Sequence, residues 1–412
     1  MPASAPTPTG RPRILALIQA GGKGSRMDVL TRERPKPALP FAGAFRLIDF
    51  PLSNLRNSAV AEVWLSVQYL GQDVADAVAN GKPWDLDRHH GGFRIVMPEQ
   101  GGSPEAEGFV GGNAEELLRN RDDIRRHAPD ALVVMSADHV YRLDYAAVVD
   151  RHLERDAECT VVTTRIGVED AGHHAVVETD GDGRVTGFAY KPERPATGTV
   201  ATEVFVYRPD VLIEVLEDLH RRIAADGSDE GLGDYGMHLL PALVARGRTF
   251  AHPLTGYWRD LGRPETYFAA HRELLHRDVG LFSEDWPIIT NNSRHVPARV
   301  HPGAVVRNSL LNAHDIVHGT VEDSVLGPGV VVEAGATVRD SVVLADVRIE
   351  AGAEVTSTIV DEGCVIGAGA RVGAPASTGR ISPDELVIIG RDSRVAVDAV
   401  LEPGARLEPG TT

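Results

Sequence analysis

The chain has 412 residues, 42% of them hydrophobic, and a formal net charge of −17. This length predicts at least two domains, and the acidic balance argues against a nucleic-acid partner, although a few local cations suffice to bind phosphate. The two cysteines, Cys159 and Cys364, are too few for a disulfide framework or a thiolate metal site. Because no apolar stretch approaches membrane-spanning length, we expect a soluble cytoplasmic protein with no membrane partner.

The chain opens with residues 1–13, which are rich in proline, alanine and threonine and predict a disordered tail. An apolar run of strand length follows and ends in the glycine-rich loop Ala20-Gly21-Gly22-Lys23-Gly24-Ser25-Arg26. The glycines let the backbone approach a ligand, and exposed N–H groups beside Lys23 and Arg26 suit a chain of phosphates. This stretch predicts a loop that binds a nucleoside triphosphate (NTP).

Strand-like and helix-like segments alternate through residues 14–280, which predicts an α/β domain with a mostly parallel, Rossmann-like sheet. The predicted strands are Ile14–Ile18, Glu62–Val67, Phe93–Met97, Leu132–Ser136, Cys159–Arg165, Ala175–Thr179, Val185–Tyr190 and Glu203–Tyr207, and the predicted helices include Leu52–Ser58, Val74–Ala79, Ala114–Arg119, Tyr145–Arg155, Pro209–Ala224 and Tyr235–Ala245. Ligands of such sheets lie beyond the carboxyl ends of the strands, so we expect the chemistry in the loops that follow them.

Lys36 lies between two prolines, ten residues beyond Arg26. The prolines hold its backbone stiff, so Lys36 and Arg26 can reach one polyphosphate, although such a segment alone is equally typical of a solvated basic loop. Lys191, which precedes Pro192 after a short predicted strand, suits a single phosphate, with an exposed loop lysine as the alternative.

Two aspartates are placed to bind a metal ion. Asp138 ends an apolar strand and is a natural Mg²⁺ ligand near a triphosphate, with a helix N-cap as the alternative. Asp260 lies in the segment Gly256-Tyr257-Trp258-Arg259-Asp260-Leu261-Gly262 at a predicted strand end, where an acidic turn residue is also common.

Together these residues predict metal-assisted nucleotidyl transfer. Asp138 and Asp260 hold Mg²⁺, while Arg26 and Lys36 draw charge from the β and γ phosphates, which leave as pyrophosphate. Lys191 holds the phosphate of the second substrate for in-line attack on the α-phosphorus, without a covalent intermediate.

Residues 281–297 look like a linker. Residues 298–412 have a different sequence pattern, with short repeated motifs. The motifs Asp323-Ser324-Val325-Leu326, Asp340-Ser341-Val342-Val343 and Ser357-Thr358-Ile359-Val360 recur with a 17-residue period. Aliphatic residues near every sixth position, with small residues at the corners, indicate a left-handed parallel β-helix rather than a generic Gly/Ala-rich β region. Because stacked coils bury a continuous apolar core, this domain is expected to be structural or to form an oligomer.

These motifs resemble the bacterial and plant glucose-1-phosphate adenylyltransferases (ADP-glucose pyrophosphorylases) over roughly residues 14–375. The resemblance is strongest in the glycine-rich loop and in Pro35-Lys36-Pro37-Ala38-Leu39-Pro40-Phe41, Phe45-Arg46-Leu47-Ile48-Asp49-Phe50-Pro51-Leu52-Ser53-Asn54, Ala137-Asp138-His139-Val140-Tyr141 and Tyr257-Trp258-Arg259-Asp260-Leu261-Gly262. It implies a nucleotidyltransferase domain, Mg²⁺ as cofactor, a C-terminal left-handed β-helix and a homo-oligomer, either tetramer or dimer. It also implies a nucleotide site made of Ala20, Gly21, Gly22, Lys23, Gly24, Gln100 and Gly112, with Gln100 near the base.

The departures from the family pattern cluster around the acceptor. Val110 (or Phe109) replaces a tyrosine, Ala175 replaces a glycine, Tyr190 replaces the glutamate of Glu-Lys-Pro, and Ala201-Thr202-Glu203 stands for Ser-Met-Gly. The predicted acceptor site therefore comprises Lys191, Tyr190, Val110, Ala175, Ala201 and Glu203. The loss of side chains that bind sugar hydroxyls disfavours glucose, because buried polar groups would remain unpaired. The alternative is ordinary sequence drift, with glucose still bound by other residues.

We therefore expect a nucleotidyltransferase that converts an NTP and a sugar or cyclitol 1-phosphate into an NDP-sugar and pyrophosphate, with an altered acceptor pocket. One alternative is a GTP-dependent valienol-1-phosphate guanylyltransferase of a C7-cyclitol antibiotic pathway, whose unsaturated carbocycle has fewer polar ring atoms. Another is a non-catalytic regulatory subunit of the same fold. A bifunctional acyltransferase is disfavoured because the regular coils end near Gly373 and no histidine follows His318.

Overall fold

The computed structural model describes residues 10, 12–21, 24–67, 71–88, 91–97, 112–225, 231–291, 294–376 and 381–412. The predicted site residues Gly22, Lys23, Gln100 and Val110 lie outside the described residues, as do residues 1–9 of the predicted tail. Arg13 is tied to the N-terminal domain, because its backbone N–H donates to Asp130 Oδ2 at 2.7 Å. Within the described ranges, no helix has both the length and the apolar character needed to cross a membrane.

The N-terminal domain alternates strands with helices as the sequence predicts. Its strands are β1 (Ile14–Ala20), β2 (Pro40–Phe41), β3 (Phe45–Arg46), β4 (Glu62–Val67), β5 (Gly92–Val96), β6 (Ala131–Ser136), β7 (His139–Tyr141), β8 (Cys159–Arg165), β9 (Ala175–Thr179), β10 (Val185–Tyr190), β11 (Thr199–Tyr207), β12 (Thr249–Pro253) and β13 (Trp258–Asp260). Its helices are α1 (Asp49–Asn57), α2 (Gly71–Val78), α3 (Asn113–Arg119), α4 (Arg121–His127), α5 (Tyr145–Glu154), α6 (Val168–Ala171), α7 (Pro209–Ala225), α8 (Leu239–Ala245) and α9 (Pro264–His276), and 3₁₀ segments span Ser25–Thr31, Lys36–Ala38 and Ala79–Trp84.

The main sheet has the order β10-β9-β11-β6-β1-β4-β5, with β8 and β12 joined to it through β11. Strands β6, β1, β4 and β5 run parallel, whereas β11 is antiparallel to β6 and to β8. Successive residues of β1 enter different hydrophobic clusters, Leu15 on one face and Ala16 on the other. Because both faces are buried, the strand is apolar throughout, as expected for a parallel strand at the centre of an α/β sheet.

The register of β1 against β6 determines where the site forms. Gln19 at the end of β1 lies opposite Ser136 at the end of β6. The loops that follow these two strands therefore leave the sheet side by side, which brings the glycine-rich loop close to Asp138.

Residues 299–407 form the predicted left-handed parallel β-helix with three sheets. The first contains β14 (Arg299–Val300), β16 (Ile316–Val317), β19 (Val331–Val332), β22 (Arg348–Ile349), β25 (Val365–Ile366) and β28 (Arg394–Val395). The second contains β15 (Val305–Arg307), β17 (Thr320–Glu322), β20 (Thr337–Arg339), β23 (Glu354–Thr356), β26 (Arg371–Val372) and β29 (Val400–Leu401), and the third contains β18 (Val325–Leu326), β21 (Val342–Val343), β24 (Thr358–Val360), β27 (Val387–Ile389) and β30 (Arg406–Leu407).

The 17-residue period matches the strand register, since Val325 pairs with Val342 and Val342 pairs with Ile359. The expectation that the regular coils end near Gly373 is wrong. The next coil pairs Ile359 with Ile388, a spacing of 29 residues, and the stacking continues to β30. An insertion between β26 and β27 interrupts the sequence period without breaking the hydrogen-bonded ladder.

Candidate active site

A cavity of about 310 Å³ opens at the carboxyl ends of β1 and β6. It brings together predicted site residues from distant parts of the sequence, among them Arg26, Lys36, Asp138, Lys191 and Glu203. Its other lining residues are Gln19, Ala20, Gly21, Gly24, Ser25, Pro37, Asn113, Ser136, Ala137, Tyr190, Asp234, Tyr235 and Gly262. A second cavity of about 350 Å³ lies beside Arg142, Tyr257 and Gly280, and none of the described site residues lines it.

The glycine-rich loop forms one wall of the cavity. Gly24 has a φ of +64°, and a Cβ atom there would lie 3.1 Å from Lys36 Cβ, so this position needs glycine both for its backbone and for close packing. The Thr31 hydroxyl donates to the Gly24 carbonyl at 2.8 Å and closes the turn. Arg26 lies exposed at the mouth of the cavity, where its guanidinium can meet a polyphosphate.

Lys36 extends from its 3₁₀ turn into the buried side of the cavity. Its Nζ donates to Asp138 Oδ2 at 2.6 Å and lies 3.7 Å from Asp260 Oδ1. Burial alone would lower the pKa of Lys36, but the two carboxylates outweigh burial and raise it. Lys36 is therefore a fixed cation that contacts both predicted metal ligands.

Asp138 and Asp260 approach each other through strand pairing outside the main sheet. β7 pairs with β13 so that His139 lies opposite Asp260, and His139 Nε2 lies 3.5 Å from Asp138 Oδ1 and 3.6 Å from Asp260 Oδ1. Burial would raise the pKa of each aspartate, but the cations Lys36 and His139 outweigh burial and lower both pKa values. Both carboxylates are consequently ionised and available to a divalent cation.

The structure places Glu203 beside the predicted metal ligands, with the His139 imidazole close to the same carboxylates. Asp138, His139 and Glu203 each offer one ligand atom, and these atoms all lie within 4.8 Å of one another. His139 Nδ1 contacts the Thr202 carbonyl at 3.0 Å, so that nitrogen is occupied and Nε2 faces the carboxylates. With Asp260 beside them, the oxygen-rich donors match the preference of Mg²⁺ for carboxylate ligands.

Another part of the cavity wall comes from β10, β11 and the loop before α8. Tyr190 donates from its hydroxyl to Asp234 Oδ2 at 2.7 Å, and Lys191 Nζ donates to the Tyr190 hydroxyl at 2.8 Å. Burial and the hydrogen bond to Asp234 raise the pKa of Tyr190, so this phenol remains protonated. Lys191 thus lines the cavity with its ammonium group held against the Tyr190 side chain.

Glu203, like Lys191 with its φ of +47°, has a backbone conformation that is rare for residues other than glycine. It has a φ of +58°, in the left-handed region that costs a non-glycine residue about 1–2 kcal/mol. Its carboxylate hydrogen-bonds Tyr235 and lies 3.8 Å from His139 Nε2. Burial beside Asp138 and Asp260 raises the pKa of Glu203. A glutamate held in a glycine-like conformation next to other carboxylates indicates a functional role.

Ala175 and Ala201 do not reach the cavity in the described structure. Both are buried in the hydrophobic cluster beneath the sheet, and Ala175 pairs with Tyr190 across the β9–β10 hairpin. Gly112 has a φ of +128° and packs so tightly that a Cβ atom would lie 2.1 Å from the Gly233 carbonyl carbon. These three residues shape the surrounding backbone, and their predicted ligand contacts stay predictions.

Several cavity residues were not predicted as site residues, among them Gln19, Asn113, Asp234 and Tyr235. Gln19 Nε2 donates to the Asn113 carbonyl at 3.0 Å and ties β1 to the start of α3. A polar residue within the otherwise apolar run of β1 was a signal for Gln19. The Asp234-Tyr235 pair follows Gly233, whose φ of +61° requires a turn, but its spatial neighbours could not be read from local sequence.

Comparison with known proteins identifies relatives of both domains. A family model described as "Nucleotidyl transferase" matches residues 15–277, and one described as "GlmU-like, C-terminal hexapeptide" matches residues 293–381. The chain is similar to the glucose-1-phosphate adenylyltransferases of Clostridium beijerinckii (32% identity, 78% of this chain and 82% of the relative) and of Bacillus subtilis strain 168 (32%, 78% and 83%). That of Clostridium perfringens strain 13 shares 33% identity over 78% of this chain and 81% of its own length. The chain therefore belongs to the nucleotidyl transferase family, and the predicted resemblance to the glucose-1-phosphate adenylyltransferases is confirmed.

Proposed function

We propose that this enzyme transfers a nucleoside monophosphate from an NTP to the phosphate of a sugar or cyclitol 1-phosphate and releases pyrophosphate. The observation that supports this most strongly is that one cavity is lined by the cations Arg26, Lys36 and Lys191 and by the carboxylate of Asp138. Two anionic substrates can meet there only if cations neutralise both and a metal-binding carboxylate lies between them.

The reaction follows from these positions. An acceptor phosphate oxygen, held by Lys191, attacks the α-phosphorus, and the bond from that phosphorus to the bridging oxygen breaks as pyrophosphate leaves. Arg26 and Lys36 stabilise the charge that develops on the leaving group. Asp138 and Asp260, with Glu203 beside them, would hold Mg²⁺, which when bound supplies Lewis-acid stabilisation of the phosphoryl oxygens.

We further propose that the acceptor is not glucose 1-phosphate. Tyr190 replaces a family glutamate, and its hydroxyl is already engaged by Asp234, so this position presents an aromatic ring where a carboxylate is expected. Glu203 adds a carboxylate where the family has glycine. The two changes move the hydrogen-bonding groups around the acceptor ring, and a mispositioned hydroxyl partner costs far more than a lost methylene contact.

The second candidate is a GTP-dependent transfer to valienol 1-phosphate. The ring of Tyr190, which Lys191 Nζ approaches to 4.5 Å from the centroid, offers an apolar face beside a phosphate-binding group. Such a face suits an unsaturated carbocycle with few polar ring atoms. A non-catalytic regulatory subunit is disfavoured, because Lys36 and His139 each lie within 4.0 Å of both Asp138 and Asp260.

The test is a pyrophosphate-release matrix of the four common NTPs against hexose and cyclitol 1-phosphates, with and without Mg²⁺. We expect Mg²⁺-dependent release for one NTP and one acceptor class, a large but measurable fall in kcat in Lys36→Ala, and full activity in the control Lys82→Ala, whose lysine is exposed and does not line the cavity. Optimal turnover of glucose 1-phosphate would contradict the altered acceptor. Absence of release in every combination would favour the regulatory subunit.

We also propose a cytoplasmic homo-oligomer, a tetramer or a dimer, assembled through the β-helix. Its stacked strands leave Val300 and Ile316 exposed on the first sheet, at 49% and 37% accessibility. Sedimentation velocity of the full chain tests this proposal, and a monomer at micromolar concentration would contradict it.

A further inference from the structure

The β-helix packs directly against the segment that contains Lys36. One hydrophobic cluster joins both domains: Met27, Val29, Leu30, Leu39, Phe41, Tyr267 and Phe268 come from the N-terminal domain, and Val342, Leu344, Ile359, Leu386 and Ile388 come from the β-helix. The apolar side chains of residues 27–41 therefore pack between α9 and the third sheet of the β-helix. The Tyr267 hydroxyl of α9 also donates to the Pro40 carbonyl, which fixes the far end of this segment.

Arg34 makes the buried ionic contact across this interface. Its guanidinium donates to Asp361, and its Nη1 lies 3.2 Å from Glu362 Oε1. The Arg34 and Asp361 side chains are only 7% and 1% exposed. Glu362 is held in turn by Arg391 at 2.7 Å. A bidentate arginine between two carboxylates on one β-helix corner fixes position as well as charge.

Arg34 is only two residues away from Lys36 in the sequence, so its position bears directly on that of Lys36. Pro35 and Pro37 flank Lys36, so the backbone between Arg34 and the 3₁₀ turn has little freedom. The Ile48 N–H donates to the Pro37 carbonyl at 2.9 Å and fixes the other side of the turn. A shift of Arg34 would therefore displace Lys36 from its 2.6 Å contact with Asp138.

We propose that Arg34 is a positioning residue, through which Asp361 and Glu362 of the β-helix hold Lys36 in its catalytic place. The β-helix then contributes to the chemistry itself as well as to assembly. This inference rests on nucleotidyl transfer, and it holds whichever 1-phosphate is the acceptor.

The test compares Arg34→Met, which keeps the aliphatic stem, with Arg272→Met in the full-length enzyme. Arg272 on α9 pairs with Asp340 of the β-helix at 2.9 Å, so it crosses the same interface from a different element. We expect kcat of Arg34→Met to fall about tenfold or more, with both KM values changed less than about threefold, because a misplaced group costs rate more than binding. We expect Arg272→Met to keep its kcat even if it loses comparable thermal stability.

A second measurement separates positioning from general destabilisation. If Arg34 acts through Lys36, adding Arg34→Met to Lys36→Ala should lower kcat by less than about twofold further, since residues acting as a unit are non-additive. Asp361→Asn, which keeps the Arg34–Glu362 pair, decides the question if Arg34→Met does not fold, and its kcat should also fall with KM retained. Unchanged kcat, multiplicative losses, or an equal fall in Arg272→Met would overturn the inference. The assay uses the best substrate pair of the matrix, so an unexpected acceptor would refute the proposed specificity and leave this test intact.

Discussion

Replacing Glu203 by glycine should stabilise the protein while it impairs acceptor use. Glu203 has a φ of +58°, in the left-handed region of backbone conformation. Glycine adopts this region without a steric penalty, whereas a residue with a Cβ atom is strained there. Its carboxylate also stands near Asp138, Asp260 and the cation His139. Backbone strain tends to be retained at functional sites, so the strained conformation of Glu203 beside these groups is consistent with a functional role.

The magnitude follows from two opposing effects. Relief of the left-handed conformation gains about 1–2 kcal/mol, whereas the extra freedom of glycine in the unfolded chain costs up to about 1 kcal/mol. Glu203→Ala removes the same carboxylate but keeps the strain. We therefore predict that the glycine variant is about 1 kcal/mol more stable than the alanine variant, the reverse of the order at an ordinary helical or strand position.

Urea unfolding followed by circular dichroism compares the two variants, and pyrophosphate release gives their kinetics. Both variants should lose about 10- to 100-fold in kcat/KM for the acceptor, because a charged hydrogen-bonding group is removed, while KM for the NTP changes little. An alanine variant as stable as the glycine variant would refute the strain argument. Unchanged acceptor kinetics would refute the role of Glu203 in the acceptor site.

Further predictions concern the metal site, the acceptor phosphate and the response to pH. Asp138→Asn should lower kcat by about 100-fold or more with an unchanged circular dichroism spectrum, because it removes the charge of a metal ligand; near-normal turnover would contradict its assignment. Lys191→Ala should raise KM for the acceptor more than KM for the NTP, with Lys82→Ala as the control, and an equal rise in both would place Lys191 elsewhere. His271 is fully buried, donates from Nδ1 to a backbone carbonyl and accepts at Nε2 from a backbone N–H, and burial lowers its pKa from 6.5 to about 4. Because the unfolded chain binds this proton more readily, stability should fall by about 3 kcal/mol as pH drops from about 6.5 to 4, and His271→Gln should lose correspondingly less in denaturant titrations at each pH.

Much of the fold was predictable because local pattern and tertiary burial agree. The predicted limits of Glu62–Val67 and Cys159–Arg165 match β4 and β8, since both strands are buried, apolar or β-branched, and bounded by breaks in that pattern. The 17-residue period likewise predicted stacked coils. A short strand of this kind can bury its apolar side chains only when further coils stack against it. Asp138 could be identified because it follows the end of a buried strand, where ligand-binding residues of parallel sheets lie. Lys36 could be identified because the two flanking prolines hold its backbone stiff.

The remaining features depend on contacts that local sequence does not encode. The start of β11 at Thr199 rather than Glu203 depends on antiparallel pairing with β8 and a bulge between Ala201 and Phe205. Asp234 enters the site because Tyr190, more than forty residues earlier, donates to it. Ala175 and Ala201 differ from the family without facing the cavity, so sequence comparison could not separate a changed contact from a changed core.

The most direct test of the central claim is the ratio of kcat/KM for the best acceptor to kcat/KM for glucose 1-phosphate, measured on the purified full-length enzyme with the same NTP and Mg²⁺. The claim is that the transfer residues are intact while Tyr190 and Glu203 have rebuilt the acceptor site. We predict a ratio of at least about 100, as expected when buried hydrogen-bonding groups no longer match a substrate. A ratio of one, with glucose 1-phosphate itself the best acceptor, would contradict it.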